Sequence, residues 1–331
     1  MATRKQEPRA SAPDEEGGFS LISDEKLLQL YATMVKCRLI EERAQGRLEP
    51  KKPLEPKKLA SRSGGRAAGQ AAGLEAVVVG VAIDLGPEDT VAPSSHGPIA
   101  DFGTIAGFVK GEPREEIFRR QAACAAALDP AVRLDIATDA LNIATGAALV
   151  NKTKNNGKIA VVFLDGEAAA PVFRSGSRPD SSSDSFADAL HVAGLHRLPI
   201  LFVRLSSLPA GAGKGKAQEG IDAHAGREGI ARLAEECGIP FIAVDASDAV
   251  AVYRVATEAI THARKGNGAT LIECETAGGG KAHDPILKME VYLTRKGLFS
   301  EGLKSKTVAS FTKELKAALA TANQSKRLTG R

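Results

Sequence analysis

The chain alternates two hydrophobic rhythms from residue 24 onward, and that alternation predicts its architecture. Ser23 precedes SDEKLLQLYATMVKCRLIEERAQGRL, where acids fill the first turn and Leu27, Leu30, Tyr31, Met34, Cys37 and Ile40 recur at helical spacing. A small-residue segment, GQAAGLEAVVVGVAIDL, predicts a second helix, followed by a short strand at Thr90 to Ala92. Strand-like and helix-like runs then alternate. IATDALNIATGAALVNKT reads as helix and KIAVVFL as strand. DSFADALHVAGLHR reads as helix, LPILFVRL as strand and REGIARLAEECG as helix. PFIAVDA is a strand, DAVAVYRVATEAITHARKG a helix and ATLIECET a strand. Residues 303 to 324 read as a final helix. The strand runs are apolar throughout rather than alternating. This is the pattern of strands buried on both faces, so the chain predicts an α/β fold with a parallel sheet flanked by helices on both faces.

The pattern also sets the domain organisation. Residues 1–20 are polar, with Pro and Gly, and read as a disordered tail. Residues 21–300 form the α/β domain, interrupted by two inserted loops at 47–66 and 171–185, and 301–331 form a helical extension. The second loop, PVFRSGSRPDSSSDS, is serine-rich and sits directly after a strand tip.

Composition narrows the function classes. The chain has 331 residues, is 43% apolar and carries a net charge of +4. Residues 47–66 hold seven Lys or Arg against two Glu, so the remainder is close to neutral. This run is either a solvated loop or a docking site for an acidic partner. With no general basic face and no interleaved aromatics, nucleic-acid binding is not expected. The four cysteines (Cys37, Cys124, Cys237, Cys274) are far apart and read as small core residues in a reducing, cytoplasmic compartment. No apolar run approaches the length of a membrane span, and none is expected.

Candidate chemistry concentrates at strand ends. In KIAVVFLDGEAAA the apolar run stops at Asp165-Gly166, a carboxylate and a glycine at the tip of a buried strand. Asp165 there is either a cation ligand or a strand-end cap, and Gly166 admits close backbone approach. PAGAGKGKAQ looks like a phosphate loop but lacks the required spacing and the hydroxyl residue after the lysine, and it reads as a turn. His191 and His196 are five apart and share no helix face, which argues against a metal pair. His96, after the first strand, is either a site residue or a loop histidine bonded to backbone. In His283-Asp284-Pro285 the aspartate reads as a helix N-cap with Pro at the first helical position, while His283 could face a site.

The order of these segments resembles that of the alpha subunit of the thiamine-diphosphate-dependent, decarboxylating component of 2-oxo acid dehydrogenase complexes, of the pyruvate and branched-chain type. The similarity runs over roughly residues 24 to 320. It rests on LLQLYATMVKCRLIEERA, GLEAVVVGVAIDLGPEDTV, HGPIADFGTIAGFVKG, ATDALNIATGAAL, FADALHVAGLHRLPILFV, GIARLAEECGIPFIAVDASDAVAVY and DPILKMEVYLTRKGLF. The resemblance implies a thiamine-diphosphate-binding fold, a beta-type subunit or self-association as partner, and Mg²⁺ bridging the cofactor's diphosphate to the protein. Asp165 matches the family's metal-binding carboxylate. Ser207 would be the second metal ligand, with Gly166, Glu167 and Ser206 beside the cofactor, and His96 and His283 would be the catalytic histidines.

The chain departs from the family pattern at several of these positions. Leu164 replaces a glycine, and Ser206-Ser207 stand where the family has an asparagine pair. Pro93 and Ser94 replace a Tyr-Arg pair that contacts the diphosphate, and AGGGKAHDPI shortens a loop that carries a catalytic histidine. The glutamate that activates the aminopyrimidine lies on the family's beta subunit. Two expectations follow. Either the chain is a divergent working alpha subunit that decarboxylates a 2-oxo acid with a beta subunit, or it is a catalytically inactive scaffold or regulatory relative.

Overall fold

The computed structural model describes residues 22–44, 74–92, 102–114, 117, 130–165, 181–207, 217–276 and 283–329. In chain order the elements are α1 (Asp24–Ala44), α2 (Glu75–Ala82), β1 (Thr90–Ala92), α3 (Phe102–Val109), α4 (Pro130–Lys154), β2 (Ala160–Asp165) and α5 (Ser181–Leu195). They continue with β3 (Ile200–Ser207), α6 (Ala217–Glu236), β4 (Phe241–Asp245), α7 (Ala249–Arg264), β5 (Thr270–Thr276), α8 (Pro285–Arg295) and α9 (Glu301–Thr329). The expected tail 1–20 and the basic loop 47–66 lie outside the described residues.

The five strands form one sheet in the order β1-β2-β3-β5-β4, and every neighbouring pair is parallel. Strand periodicity divides the apolar residues between two cores. Val161, Phe163, Leu201, Val203 and Ile272 face a core built with α1, α2, α3, α7, α8 and α9. Ala160, Val162, Leu164, Ile200, Phe202 and Leu271 face the opposite core, under α4, α5 and α6. The unbroken apolar runs are thus explained by burial on both sides.

Right-handed crossovers account for this division. From β1 to β2, β3 and β4 the chain advances across the sheet, so α4, α5 and α6 fall on one face. From β4 to β5 it steps back, and α7 falls on the other. Packing fixes these placements. Phe186 of α5 meets Phe202 of β3 edge to face at 6.2 Å, and each such buried ring contributes roughly 1.5–3 kcal/mol. Gly80 of α2 lets the backbone of α7 approach, since a Cβ there would lie 2.8 Å from Val252 Cγ1.

The serine-rich insertion is shorter than its composition suggests. Ser181 to Ser185 form the first turns of α5, so only 171–180 of the expected loop lies outside the described residues. Serine is tolerated near a helix start because its hydroxyl serves unpaired backbone N–H groups, and Phe186 anchors the next turn in the core.

Candidate functional site at the carboxyl edge of the sheet

Chain reversal creates a switch point between β3 and β5. The chain leaves β3 toward α6 on one face, and it leaves β5 toward α8 on the other. In open parallel sheets, ligands bind in the crevice beyond the carboxyl ends at such a point. The register brings sequence-distant residues together there. Asp165, the last residue of β2, pairs with Leu205, so Ser206 and Ser207 extend one and two residues past it on the adjacent strand. Ser206 and Ser207 pair with Glu275 and Thr276 of β5. Thr276 Oγ1 donates to the Ser206 carbonyl at 2.9 Å, which ties the two tips together.

Beneath this edge lies a charged layer in the phase that faces α6. Arg204 Nη1 reaches Glu273 Oε1 across β3 and β5 at 2.5 Å, with both groups buried. Arg227 of α6 pairs with Glu275 one row above. Cations and carboxylates therefore alternate beside Ser206. Asp245, at the tip of β4, is committed elsewhere. It accepts from Ser247 N and Oγ and from Lys288 Nζ, and these bonds outweigh its partial burial and hold its carboxyl below the usual range.

A second ionic cluster sits on the opposite face of the same edge. Arg38 of α1 bonds Glu75 Oε1 at 2.6 Å and Asp284 Oδ2 at 2.8 Å, and all three groups are buried. Asp284 caps α8 through Oδ1, which accepts from Ile286 N and Leu287 N, and Pro285 opens the helix as expected. One turn along α1, Glu41 is buried, and its Oε2 finds no hydrogen-bond partner among the described residues. Burial first, then the neighbouring Glu75, pushes its carboxyl well above the ordinary range.

The expected site residues fall into two groups. The structure brings Asp165, Ser206 and Ser207 to neighbouring tips. His283 is exposed, immediately before the α8 cap and beyond the β5 tip. His96, Gly166 and Glu167 lie outside the described residues.

By residue type the β2 and β3 tips end in an aspartate and two serines, and oxygen donors of this kind suit a hard divalent cation. Among the described residues no group of three His, Cys, Asp or Glu side chains could hold a metal. A Mg²⁺ ion does not require one, because it is commonly bound by one or two carboxylates, with phosphate and water oxygens completing its shell. The charged layer and the Arg38 cluster escaped the sequence reading. Their signal was a charged residue in the inward phase of an otherwise apolar run, at Arg204 in LPILFVRL, Glu273 in ATLIECET and Arg38 in MVKCRLI.

The sequence profile described as "Dehydrogenase E1 component" matches residues 134–277, the span that includes β2 through β5. The alpha subunit of acetoin:2,6-dichlorophenolindophenol oxidoreductase from Bacillus subtilis is 29% identical over 281 residues, 78% of this chain and 72% of that protein. The pyruvate dehydrogenase E1 component subunit alpha of Staphylococcus epidermidis is 26% identical over 337 residues, 93% of this chain and 81% of its own length. The chloroplastic pyruvate dehydrogenase E1 component subunit alpha-3 of Arabidopsis thaliana is 33% identical over 139 residues, 42% of this chain and 29% of that one. Among the described residues no helix is long and apolar enough to cross a membrane. Over residues 134–277 the chain is similar to the dehydrogenase E1 component family, and over most of its length it is similar to alpha subunits of pyruvate dehydrogenase E1 and of acetoin oxidoreductase.

Proposed function

We propose that this chain is the alpha-type component of a two-subunit 2-oxo acid dehydrogenase, and that the tips of β2 and β3 hold the diphosphate end of thiamine diphosphate through Mg²⁺. The observation that supports this most is the Asp165–Leu205 register, which brings Asp165 to the strand tip next to that of Ser206 and Ser207. Asp165 would hold the metal with Ser207, while Ser206 and Gly166 lie against the diphosphate. A second carboxylate at Glu167 either turns away from the diphosphate or helps to hold the cation. When bound, the cofactor supplies the carbanion-stabilising chemistry, and the protein supplies orientation and charge balance.

The remaining roles rest on the resemblance to the family. His96, four residues beyond β1, would stabilise charge near the substrate. His283 is exposed in the single chain, so it would act only under the cover of a partner. That partner is a beta-type chain, which completes the site, and the assembly works in the cytoplasm. Residues 21–300 would carry the site, with 301–331 as a helical extension.

Metal dependence tests this reading. Mn²⁺ in place of Mg²⁺, followed by electron paramagnetic resonance, reports metal bound to the protein. The free-Mn²⁺ signal should fall when thiamine diphosphate and protein are present together, and Asp165→Ala should restore it. A signal that falls equally with Asp165→Ala would place the metal elsewhere.

A further inference from the structure

Two helices of this protein end in the same way. At the end of α4, Asn155 N–H donates to Lys152 O and Asn156 N–H to Asn151 O. At the end of α7, Gly266 N–H donates to Ala263 O and Asn267 N–H to His262 O. In each, one left-handed residue turns the chain, Asn155 at φ 46° and Gly266 at φ 78°, which is the Schellman ending. The next two residues are asparagine and glycine in both, and the chain then enters a strand, β2 or β5. Asn156-Gly157 and Asn267-Gly268 therefore occupy equivalent positions on the amino edge of the sheet, away from the candidate site.

An asparagine before glycine carries its own reaction partner. The glycine nitrogen can attack the asparagine side-chain carbonyl carbon, and glycine has no side chain to shield that nitrogen. Both asparagines are exposed to the water that completes the reaction.

The residue that accepts the last helical bond separates the two sites. In α4 it is the buried Asn151, whose Oδ1 also accepts from Asn156 Nδ2 at 3.1 Å. Lys158 N–H donates to Asn156 Oδ1 at 3.0 Å, so both ends of the Asn156 amide are held. In α7 it is His262, and the Asn267 side chain makes no hydrogen bond among the described residues. The Asn267 amide can therefore turn its carbon toward the Gly268 nitrogen at no cost in hydrogen bonds.

We propose that Asn267 is a site of self-modification. The Gly268 nitrogen bonds to Asn267 Cγ and gives up its proton, the side-chain nitrogen leaves as ammonia, and water opens the resulting succinimide to aspartate or isoaspartate. The inference does not depend on the cofactor reading. The product places a carboxylate just past the end of α7, where the helix dipole opposes negative charge. The isoaspartate form also lengthens the main chain just before β5. Space is short there, since a Cβ at Gly268 would lie 3.4 Å from Arg197 Cα in the turn before β3.

Incubation of the full chain in mildly alkaline buffer, followed by peptide mass spectrometry that separates aspartate from isoaspartate, tests the proposal. Asn267 should convert about tenfold faster than Asn156, because two hydrogen bonds hold the Asn156 amide. This comparison is made within the parent chain and needs no variant. Both products should form at position 267, since either carbonyl of the ring can be opened. Asn151→Ala should bring the rate at Asn156 close to that at Asn267. Asn151→Asp keeps an acceptor oxygen and should leave Asn156 protected. An Asn267 that stays intact overturns the proposal, as does conversion of Asn156 at an equal or higher rate in the parent. Conversion of Asn267 to aspartate alone also overturns it, because direct hydrolysis then replaces attack by Gly268.

Discussion

Arg38 Nη1 and Asp284 Oδ2 stand 2.8 Å apart in the protein interior, and this contact joins the middle of α1 to the cap of α8. The other Asp284 oxygen caps α8, and Arg38 also holds Glu75 at the start of α2. One carboxylate therefore fixes the end of the β5–α8 connection, beside the carboxyl edge of the sheet. Asp284→Ala should destabilise the fold by about 3–5 kcal/mol, because it breaks a buried ion pair and removes the cap. Asp284→Asn keeps an oxygen for the cap and should cost less. Urea unfolding of both variants checks the order.

Burial raises the Glu41 carboxyl, so this group makes stability depend on pH. Its folded value lies well above the reference of 4.5, so its contribution is fully present below that reference. As pH rises the unfolded chain ionises first, and the contribution is lost up to the folded value. Glu41→Gln keeps the neutral shape without the titration. The stability of the parent relative to Glu41→Gln should fall by about 1.4 kcal/mol for each pH unit within that window. Denaturant unfolding of both proteins at pH 5 and pH 8 measures the change, and parallel pH profiles would contradict it.

Close approach governs the packing of α5 on the turn after α6. A Cβ at Gly194 would lie 2.0 Å from the Cys237 carbonyl oxygen, a backbone atom that cannot rotate away. Gly194→Ala should therefore lower stability by about 1–3 kcal/mol, despite the better helix propensity of alanine. Thermal unfolding tests this directly, and a raised midpoint would contradict it.

At the candidate site, Thr276 Oγ1 holds the Ser206 carbonyl at the β3 tip. Thr276→Val removes that bond and leaves the strand pairing in place. A bond of this kind contributes about 0.5–1.5 kcal/mol, so affinity for Mg²⁺ and thiamine diphosphate should drop by about two- to tenfold. The unfolding midpoint should move little. Loss of stability without loss of affinity would show that the bond serves only the sheet.

The fold was legible because its strands are apolar in both phases. Val161 and Phe163 serve one core, and Ala160, Val162 and Leu164 serve the other, which only a covered parallel sheet requires. The Asp284-Pro285 cap was legible for a local reason, since an N-cap is satisfied by its own next turn. The partners of that same Asp284 were not, because Arg38 is 246 residues away and no local pattern joins them. Arg204 and Glu273 were hidden likewise, each an isolated charge in an apolar run until the sheet placed β3 beside β5. The boundary of α5 was misplaced because serine suits both loops and helix starts, and the packing of Phe186 decided between them.

We propose that the β2 and β3 tips still form a working metal and diphosphate site. Calorimetric titration of the full chain with thiamine diphosphate and Mg²⁺, with and without a co-encoded beta-type chain, tests it most directly. Binding should require Mg²⁺, strengthen with the beta-type chain and disappear in Asp165→Ala. No binding under either condition would contradict it and leave the chain a non-catalytic relative that keeps the sheet without the chemistry.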